Sequence, residues 1–307
     1  MKIAVTGANG FVGRALITRL SNGPHAAIPL VRKAFGLRGE RVGDVLGDPA
    51  NLLAGAEAVI HLAARVHVMH DEGDDALSRF RAVNVAGTLC LARAALDAGI
   101  RRFVFVSSVK AQGETTSGRG PYRADEAPSP EDPYGISKRE TEDGLRDLCR
   151  GSPMELVIVR PPLVYGPGVG GNFATMVRWV ERGIPLPLGR ATMNRRSLIA
   201  VENLADFLLF AATEASAAGG TFLISDGEDV STAGLLKAIG EAAGKPARLV
   251  SVPVGLLRKA LRLIGRGAEG DRLLGDLQID TSEACDLGWV PPVSMAEQLR
   301  RTVPTNV

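Results

Sequence analysis

Short, continuous apolar runs punctuate the first half of the chain. Lys2-Ile3-Ala4-Val5, Ala26 to Val31, Ala58 to Ala64, Phe103 to Val106 and Leu156 to Arg160 show no polar alternation. That is the pattern of strands buried on both faces of a parallel sheet. Between them the apolar period becomes helical. One helix is predicted from the glycine-rich turn after Val5 through Leu20. A second spans 81–98, with Val83, Leu89, Leu91, Ala94 and Ala95 on one side and Gly99 as its stop. A third runs from Tyr134 to about Cys149. Pro29 fits poorly, because proline cannot donate to a ladder, and it leaves the register of the second strand open. Repeated β-α units over 1–160 predict a right-handed, doubly wound parallel sheet.

Beyond Arg160 the pattern changes. Pro161, Pro162, Gly166, Pro167, Gly168, Gly170 and Gly171 mark loop. A helix is expected near 173–182, a strand at 197–201, a helix at 203–213 and a strand at 221–225. Helix and strand signals alternate over 231–264. The expected architecture is α/β: a Rossmann-type doubly wound parallel sheet with a smaller, interleaved C-terminal substrate domain. The dinucleotide-binding domain would take 1–160, with 197–225 returning to it. Residues 161–196 and 226–307 would form the substrate domain, with the ligand crevice between the two.

Composition narrows the partners. Lys+Arg is 36 against Asp+Glu 34, a net charge of +2, which leaves no electrostatic footprint for nucleic acid. Cys90, Cys149 and Cys285 lie far apart without ligand spacing, and His67 and His70 have no carboxylate or cysteine partners at ligand spacing, so no metal is expected. No apolar run is long enough to span a bilayer, and the first strand begins where a signal peptide would lie. A cytoplasmic location without membrane insertion is the expectation.

The candidate chemistry sits at strand ends. Thr6-Gly7-Ala8-Asn9-Gly10-Phe11-Val12-Gly13 joins a strand to a helix start, the arrangement that cradles a pyrophosphate. Gly7 permits the turn, Gly10 the approach of phosphate, and Gly13 close packing of helix on strand. Arg32 and Lys33 follow the second strand, where an NAD site usually holds an acid. Asp48 reads equally as adenine-lining or as a helix N-cap before Pro49. The run ending Leu62-Ala63-Ala64 offers small residues against a cofactor, and His61 reads as a packed, structural histidine. Asn84 reads as polar core or as part of the active-site network. Ser108 follows a buried strand, and Tyr134 and Lys138, four apart, share a helix face. A phenol beside an ammonium forms a general acid/base pair, with the expectation that the positive charge lowers the tyrosine pKa. The plainer alternatives are a helix cap for Ser108 and a solvated lysine beside a half-buried tyrosine.

TGANGFVG at 6–13, HLAA at 61–64, NVAGT at 84–88, FVSSVKAQG at 105–113, YGISK at 134–138 and RPPLVYGPG at 160–168 together resemble the extended short-chain dehydrogenase/reductases, within them the nucleotide-sugar epimerases and reductases. The resemblance implies Ser108, Tyr134 and Lys138 as catalytic triad. It implies cofactor contacts from Gly7, Asn9, Gly10, Phe11, Val12, Gly13, Arg32, Asp48, Leu62, Ala63, Ala64, Asn84, Ser107, Tyr134, Lys138 and Pro161. Asn172, Arg196 and Arg272 match positions that contact UDP, a surface salt bridge being the alternative for the arginines. Ser108 and Tyr134 would also touch the sugar. A homodimer through 81–98 and 134–149 is implied as well.

Val109 and Lys110 stand where the dehydratases of that superfamily carry Asp-Glu, which argues against water elimination. Ala111-Gln112-Gly113 replaces the usual Val-Tyr-Gly of the epimerases, and looks closer to a branch with UDP-N-acetylquinovosamine-forming 4-ketoreductases. Three functions are therefore expected in order: a UDP-sugar 4-epimerase, an NADPH-dependent 4-ketoreductase of a UDP-4-keto-6-deoxy-hexosamine, and a non-catalytic NAD(P)-sensing protein. The last class typically loses the Tyr or Lys that is present here. Arg32 suggests that NADP(H) binds at least as well as NAD(H).

Overall fold

The computed structural model describes residues 1–44, 49–66 and 75–303. Seven strands form one parallel sheet in the order β3-β2-β1-β4-β5-β6-β9. They are β1 (Lys2–Thr6), β2 (Ala26–Val31), β3 (Arg41–Val42), β4 (Ala58–His61), β5 (Arg102–Val106), β6 (Glu155–Arg160) and β9 (Thr221–Leu223). The strand order reverses between β1 and β4, and open sheets bind ligands beyond the strand ends at such a point. β7 (Leu163–Tyr165) and β8 (Leu198–Ala200) pair separately, also parallel.

Pro29 lies within β2, opposite Val5 of β1. Ala26 donates its N–H to Met1 O at 2.9 Å, so residues 26, 28 and 30 turn their N–H groups to β1. Pro29 faces the other way, where β3 pairs only from Leu30 onward. The missing donor faces no acceptor there.

Helices α1 (Phe11–Ser21), α2 (Pro49–Leu53), α3 (Ala76–Phe80), α4 (Gly87–Asp97), α5 (Pro133–Cys149) and α7 (Val201–Thr213) accompany the sheet. Leu204, Ala205, Phe207 and Leu208 of α7 share one core with Leu16 and Leu20 of α1. α3 and α4 are joined by a π turn, Arg81–Ala86. The extra residue per turn rotates the helix, and this corrects the expected apolar side: Val83 is exposed, while Asn84 is buried in its place.

A second core combines α6 (Gly171–Glu181), α8 (Thr232–Ala242), α9 (Val254–Leu263), α10 (Gly267–Leu274) and α12 (Met295–Thr302) with Tyr165, Leu186 and Leu198. Residues 231–264 form α8 and α9 with no named strand between them; Leu249 makes only an isolated bridge to Leu186. The tail departs from the expected division. α11 (Ser282–Asp286) contributes Ala284, and the following loop Trp289, to the first core, where Trp289 Nε1 donates to Asp206 at 3.1 Å.

Candidate active site

The turn after β1 holds its glycines by close approach. Gly7 has φ +65°, and a Cβ there would lie 3.0 Å from Ala63 N. A Cβ on Gly10 would meet Gly7 O at 3.1 Å, and one on Gly13 the same oxygen at 2.2 Å. Gly10 is the N-cap of α1, no side chain bonds its free N–H groups, and no acid lies in the first turn. Open amide donors and an uncompensated helix dipole suit a diphosphate. Asn9 and Gly10 are exposed, and Phe11 and Val12 half-buried, at this mouth. The cradle therefore fits the pyrophosphate of a dinucleotide.

Thr6 was not singled out from sequence, yet it organises the wall of this cradle. Its Oγ1 accepts from Leu62 N (3.1 Å) and Ala63 N (3.0 Å), and its own hydrogen goes to His61 Nδ1 at 2.7 Å. His61 Nε2 must then carry the ring hydrogen and donate it to Thr88 Oγ1 at 2.9 Å. Burial first, then the charge of Lys138, push the His61 pKa down to about 3, so the ring is a neutral structural bridge.

Asn84 fastens the continuation of that wall. Its Oδ1 accepts from Arg65 N at 2.8 Å, and its amide donates to Arg65 O (3.1 Å) and Ser137 Oγ (3.0 Å). The amide is consumed within the protein, so Asn84 positions the loop after β4 against α5.

The three candidate reacting groups converge beyond β5. Ser108 is extended and caps a 3-10 turn, Val109–Ala111, its Oγ accepting from Lys110 N at 3.2 Å. Asp132 is the N-cap of α5, accepting from Gly135 N at 2.6 Å, and Pro133 takes the first helical position. Gly135 is required because a Cβ there would lie 2.4 Å from Lys110 O. Tyr134 thus stands in a first turn clamped on the Ser108 turn, and its ring meets Phe80 edge-on at 6.0 Å. Lys110 Nζ ties the same elements together, pairing with Asp132 and with Glu114 at 3.1 Å.

Lys138, one turn below Tyr134, is buried. Its Nζ donates to Val106 O at 2.9 Å, lies 4.8 Å from the Phe105 ring and 5.8 Å from the Tyr134 ring. Burial brings its pKa down to about 7, against the opposing charge of Glu142. Tyr134 departs from expectation: burial and then the Asp132 charge raise its pKa, and only a hydrogen bond with Ser108 pulls it down. The ammonium does not lower it, because Lys138 points to the strand backbone and holds its proton weakly. In this state the Tyr134 proton stays on oxygen.

Other expected contacts lie elsewhere. Ser107 is turned away from the cradle: its Oγ donates to Glu142 Oε1 at 2.6 Å. Glu142 is fully buried and clamped by Arg160 at 2.9 and 2.5 Å, while Arg160 Nη1 reaches Gln112 Oε1 at 2.5 Å. This pair crosses from α5 to β6. Pro161 is buried and its carbonyl accepts from Val109 N at 2.9 Å. Arg32 and Lys33 are exposed directly after β2. Asp48, like His67 and His70, lies outside the described residues.

Arg196 and Arg272 come together. Arg196 Nη1 donates to Arg272 O (2.6 Å) and Gly275 O (3.3 Å) at the C-terminus of α10, and Arg272 Nε lies 3.9 Å from Glu114. A cavity of about 400 Å³ opens there, lined among others by Glu114, Arg258, Asp271, Arg272 and Gly275. Asn172 is exposed in the first turn of α6. The ion pairs and Thr6 escaped sequence reading because nothing local marks their partners. Asp132-Pro133, a cap followed by a first-turn proline, was a legible signal.

The sequence model of the NAD dependent epimerase/dehydratase family matches residues 3–225. A UDP-glucose 4-epimerase of Vibrio cholerae is 42% identical over 98% of this chain and 94% of its own. An Escherichia coli O157:H7 protein, N-acetyl-alpha-D-glucosaminyl-diphospho-ditrans,octacis-undecaprenol 4-epimerase, is 26% identical over 98% of this chain and 94% of its own. Among solved structures, an Agrobacterium tumefaciens short-chain dehydrogenase/reductase superfamily protein with bound NAD superposes with TM-score 0.78 at 25% identity, over 99% of this chain and 96% of that one. UDP-N-acetylglucosamine 4-epimerase of Bacillus cereus has the same fold, with TM-score 0.80 at 24% identity, over 98% and 97%. Glycine cradle, parallel sheet and sequence likeness agree, and the chain belongs to the NAD dependent epimerase/dehydratase family.

Proposed function

We propose that this protein interconverts UDP-sugars at C4, as a nucleotide-sugar 4-epimerase. The observation that carries the reading is Tyr134 in the first turn of α5, clamped on the Ser108 turn at the end of β5 with Lys138 one turn below, beside a glycine cradle fit for a dinucleotide. The full-length likeness to a UDP-glucose 4-epimerase supports it. The cofactor supplies a nicotinamide that accepts and returns a hydride. Tyr134 exchanges a proton with the C4 oxygen, and Ser108 shares that oxygen by hydrogen bonding. Lys138 would reach the nicotinamide ribose from its seat on Val106 O. Gly7, Asn9, Gly10, Phe11, Val12 and Gly13 would hold the pyrophosphate, and Leu62, Ala63 and Ala64 the adjoining wall. The two cores act as cofactor and substrate domains. Arg272, with Asn172 and Arg196, would take the UDP between them; Arg196 does so only by releasing the α10 carbonyls it now bonds. A homodimer through the outer faces of α4 and α5 completes the reading.

A second reading, an NADPH-dependent 4-ketoreductase, is favoured by Arg32 and Lys33. Both are exposed with no ion-pair partner among the described residues, suited to a 2′-phosphate. Purified protein incubated with UDP-glucose, UDP-N-acetylglucosamine and a UDP-4-keto-6-deoxy sugar separates the two. Epimer formation without net NAD(P)H consumption supports the first. Stoichiometric consumption with the keto sugar alone overturns it in favour of the second.

A further inference from the structure

The outward face of α9 has no partner among the described residues. Its inner residues, Val254, Leu257 and Leu261, pack on the second core. An ordinary surface helix would then be polar outside. Here Leu256 is 60% exposed, Leu263 87% and Ile264, which follows the helix, 68%. Leu256, Ala260 and Leu263 fall at helical spacing on one outward stripe, flanked by Lys259. Single exposed leucines are common, but three large aliphatic residues so exposed within nine positions form a patch.

The charge around the patch has one sign. From Gly244 to Arg266 the chain holds Lys245, Arg248, Arg258, Lys259, Arg262 and Arg266, and no acid. Arg258 and Arg262 lie 3.9 and 3.6 Å from Asp271, whereas Lys259 and Arg266 have no ion-pair partner among the described residues. The molecule as a whole is nearly neutral at +2, so the concentration is local. Apolar residues flanked by unpaired cations on one helix face complement an anionic bilayer surface: the aliphatic side chains enter the acyl boundary and the cations meet the head groups. A protein partner of matching shape would need an acidic rim and an apolar centre, and a second copy of this chain would bring cation against cation.

We infer that α9 docks this protein peripherally on an anionic lipid surface. No helix among the described residues is long and apolar enough to cross a membrane, so the contact is along the surface. Docking would also set the mouth of the cavity lined by Arg258, Asp271 and Arg272 close to the head groups, because α9 contributes Arg258 to it. The inference stands independently of which sugar, or which cofactor, the enzyme uses.

Flotation of the full-length protein with vesicles tests it, using phosphatidylglycerol mixed with phosphatidylethanolamine against phosphatidylcholine alone. Wild type should float with the anionic vesicles and stay behind with the neutral ones. Partitioning should weaken as salt rises from 50 to 500 mM, values chosen to cross the Debye screening range. Lys259→Glu with Arg266→Glu should reduce it at least about tenfold, since each basic residue near such a surface contributes roughly fivefold. Leu256→Gln with Leu263→Gln should abolish it. Both double variants should keep the wild-type melting temperature and turnover of soluble UDP-sugar, since none of the four side chains belongs to the core or the site. Wild type that fails to float at low salt, or variants that float as well as wild type, would overturn the inference. So would a wild-type oligomer that the Leu256→Gln, Leu263→Gln variant dissociates, since a second copy would then cover the face.

Discussion

At the scale of single residues, the chemistry rests on where protons sit. Tyr134 keeps its proton because burial and Asp132 both oppose the phenolate. If that hydroxyl is the acid/base, as proposed, Tyr134→Phe should lower kcat by about 10²–10⁴. Cofactor affinity, measured by fluorescence titration, should stay within a few-fold of wild type; near-normal turnover would remove Tyr134 from the reaction. His61 makes a different residue-scale prediction. Folded, it stays neutral down to about pH 3, while the unfolded chain binds a proton near its ordinary value. Between those limits the unfolded state holds more protons, so stability falls as pH drops from about 6.5 toward 3, by a few kcal/mol at most. Above about 6.5 the group contributes no slope. Urea unfolding at stepped pH should show this, and His61→Gln should flatten the slope, while an unchanged slope would assign the acid sensitivity to other groups.

At the scale of elements, the start of α5 and the end of β2 decide most. The first turn of α5 carries Tyr134, and three devices set it: the Asp132 cap, the Lys110 pair on Asp132, and the absence of a side chain on Gly135. Asp132→Ala should cost about 0.5–2 kcal/mol of stability through the lost cap. It should also lower kcat more than it changes KM, because the reacting tyrosine loses its placement while the diphosphate contacts stay. Equal loss in KM alone would assign Asp132 to binding. The end of β2 is where the proposed cofactor choice is tested. Arg32 and Lys33 leave the sheet where the ribose of the adenosine half would lie. NADP(H) should bind at least as tightly as NAD(H), and Arg32→Asp should reverse the order; a wild-type preference for NAD(H) untouched by the substitution would count against the arginine and for the recycling epimerase.

At the scale of the whole molecule, a few buried polar contacts join sheet, helix and second core. Glu142 of α5 and Arg160 of β6 form a bidentate pair, both about wholly buried. Burial pushes the Glu142 carboxyl up, but Arg160 first, then Ser107 and Arg146, hold its pKa below the usual range. Glu142→Gln would leave the Arg160 guanidinium buried without its full counter-charge. A loss of about 3–5 kcal/mol is expected in urea unfolding. Tyr165 plays the corresponding part for the second core, donating to Asp226 at 2.7 Å beyond β9, while Asn203 of α7 also reaches Asp226 at 2.7 Å. These contacts link β7, α7 and the loop after β9 across the two cores.

Sequence alone determined the parallel sheet, the glycine turn and the Tyr134–Lys138 helix, because those depend on local period and on positions where only glycine fits. Residues Ile3 to Val5, Phe103 to Phe105 and Val157 to Val159 read as doubly buried strands, and they are. Tertiary structure alone decided what depends on distant neighbours. Pro29 is admissible only because β3 starts one residue later. Val83 faces out because a π turn shifts the helix. Ser107, adjacent to Ser108 and chemically identical to it, faces Glu142 thirty-five residues away rather than the cleft. Arg196, the second of two adjacent arginines, caps the end of α10 while Arg195 does not. The Tyr134 pKa turned upward because burial and then the Asp132 charge dominate, while Lys138 is directed to the carbonyl of Val106. Spacing along a helix reports which side chains share a face; only packing reports how dry that face is and where each charge points, and a pKa depends on both.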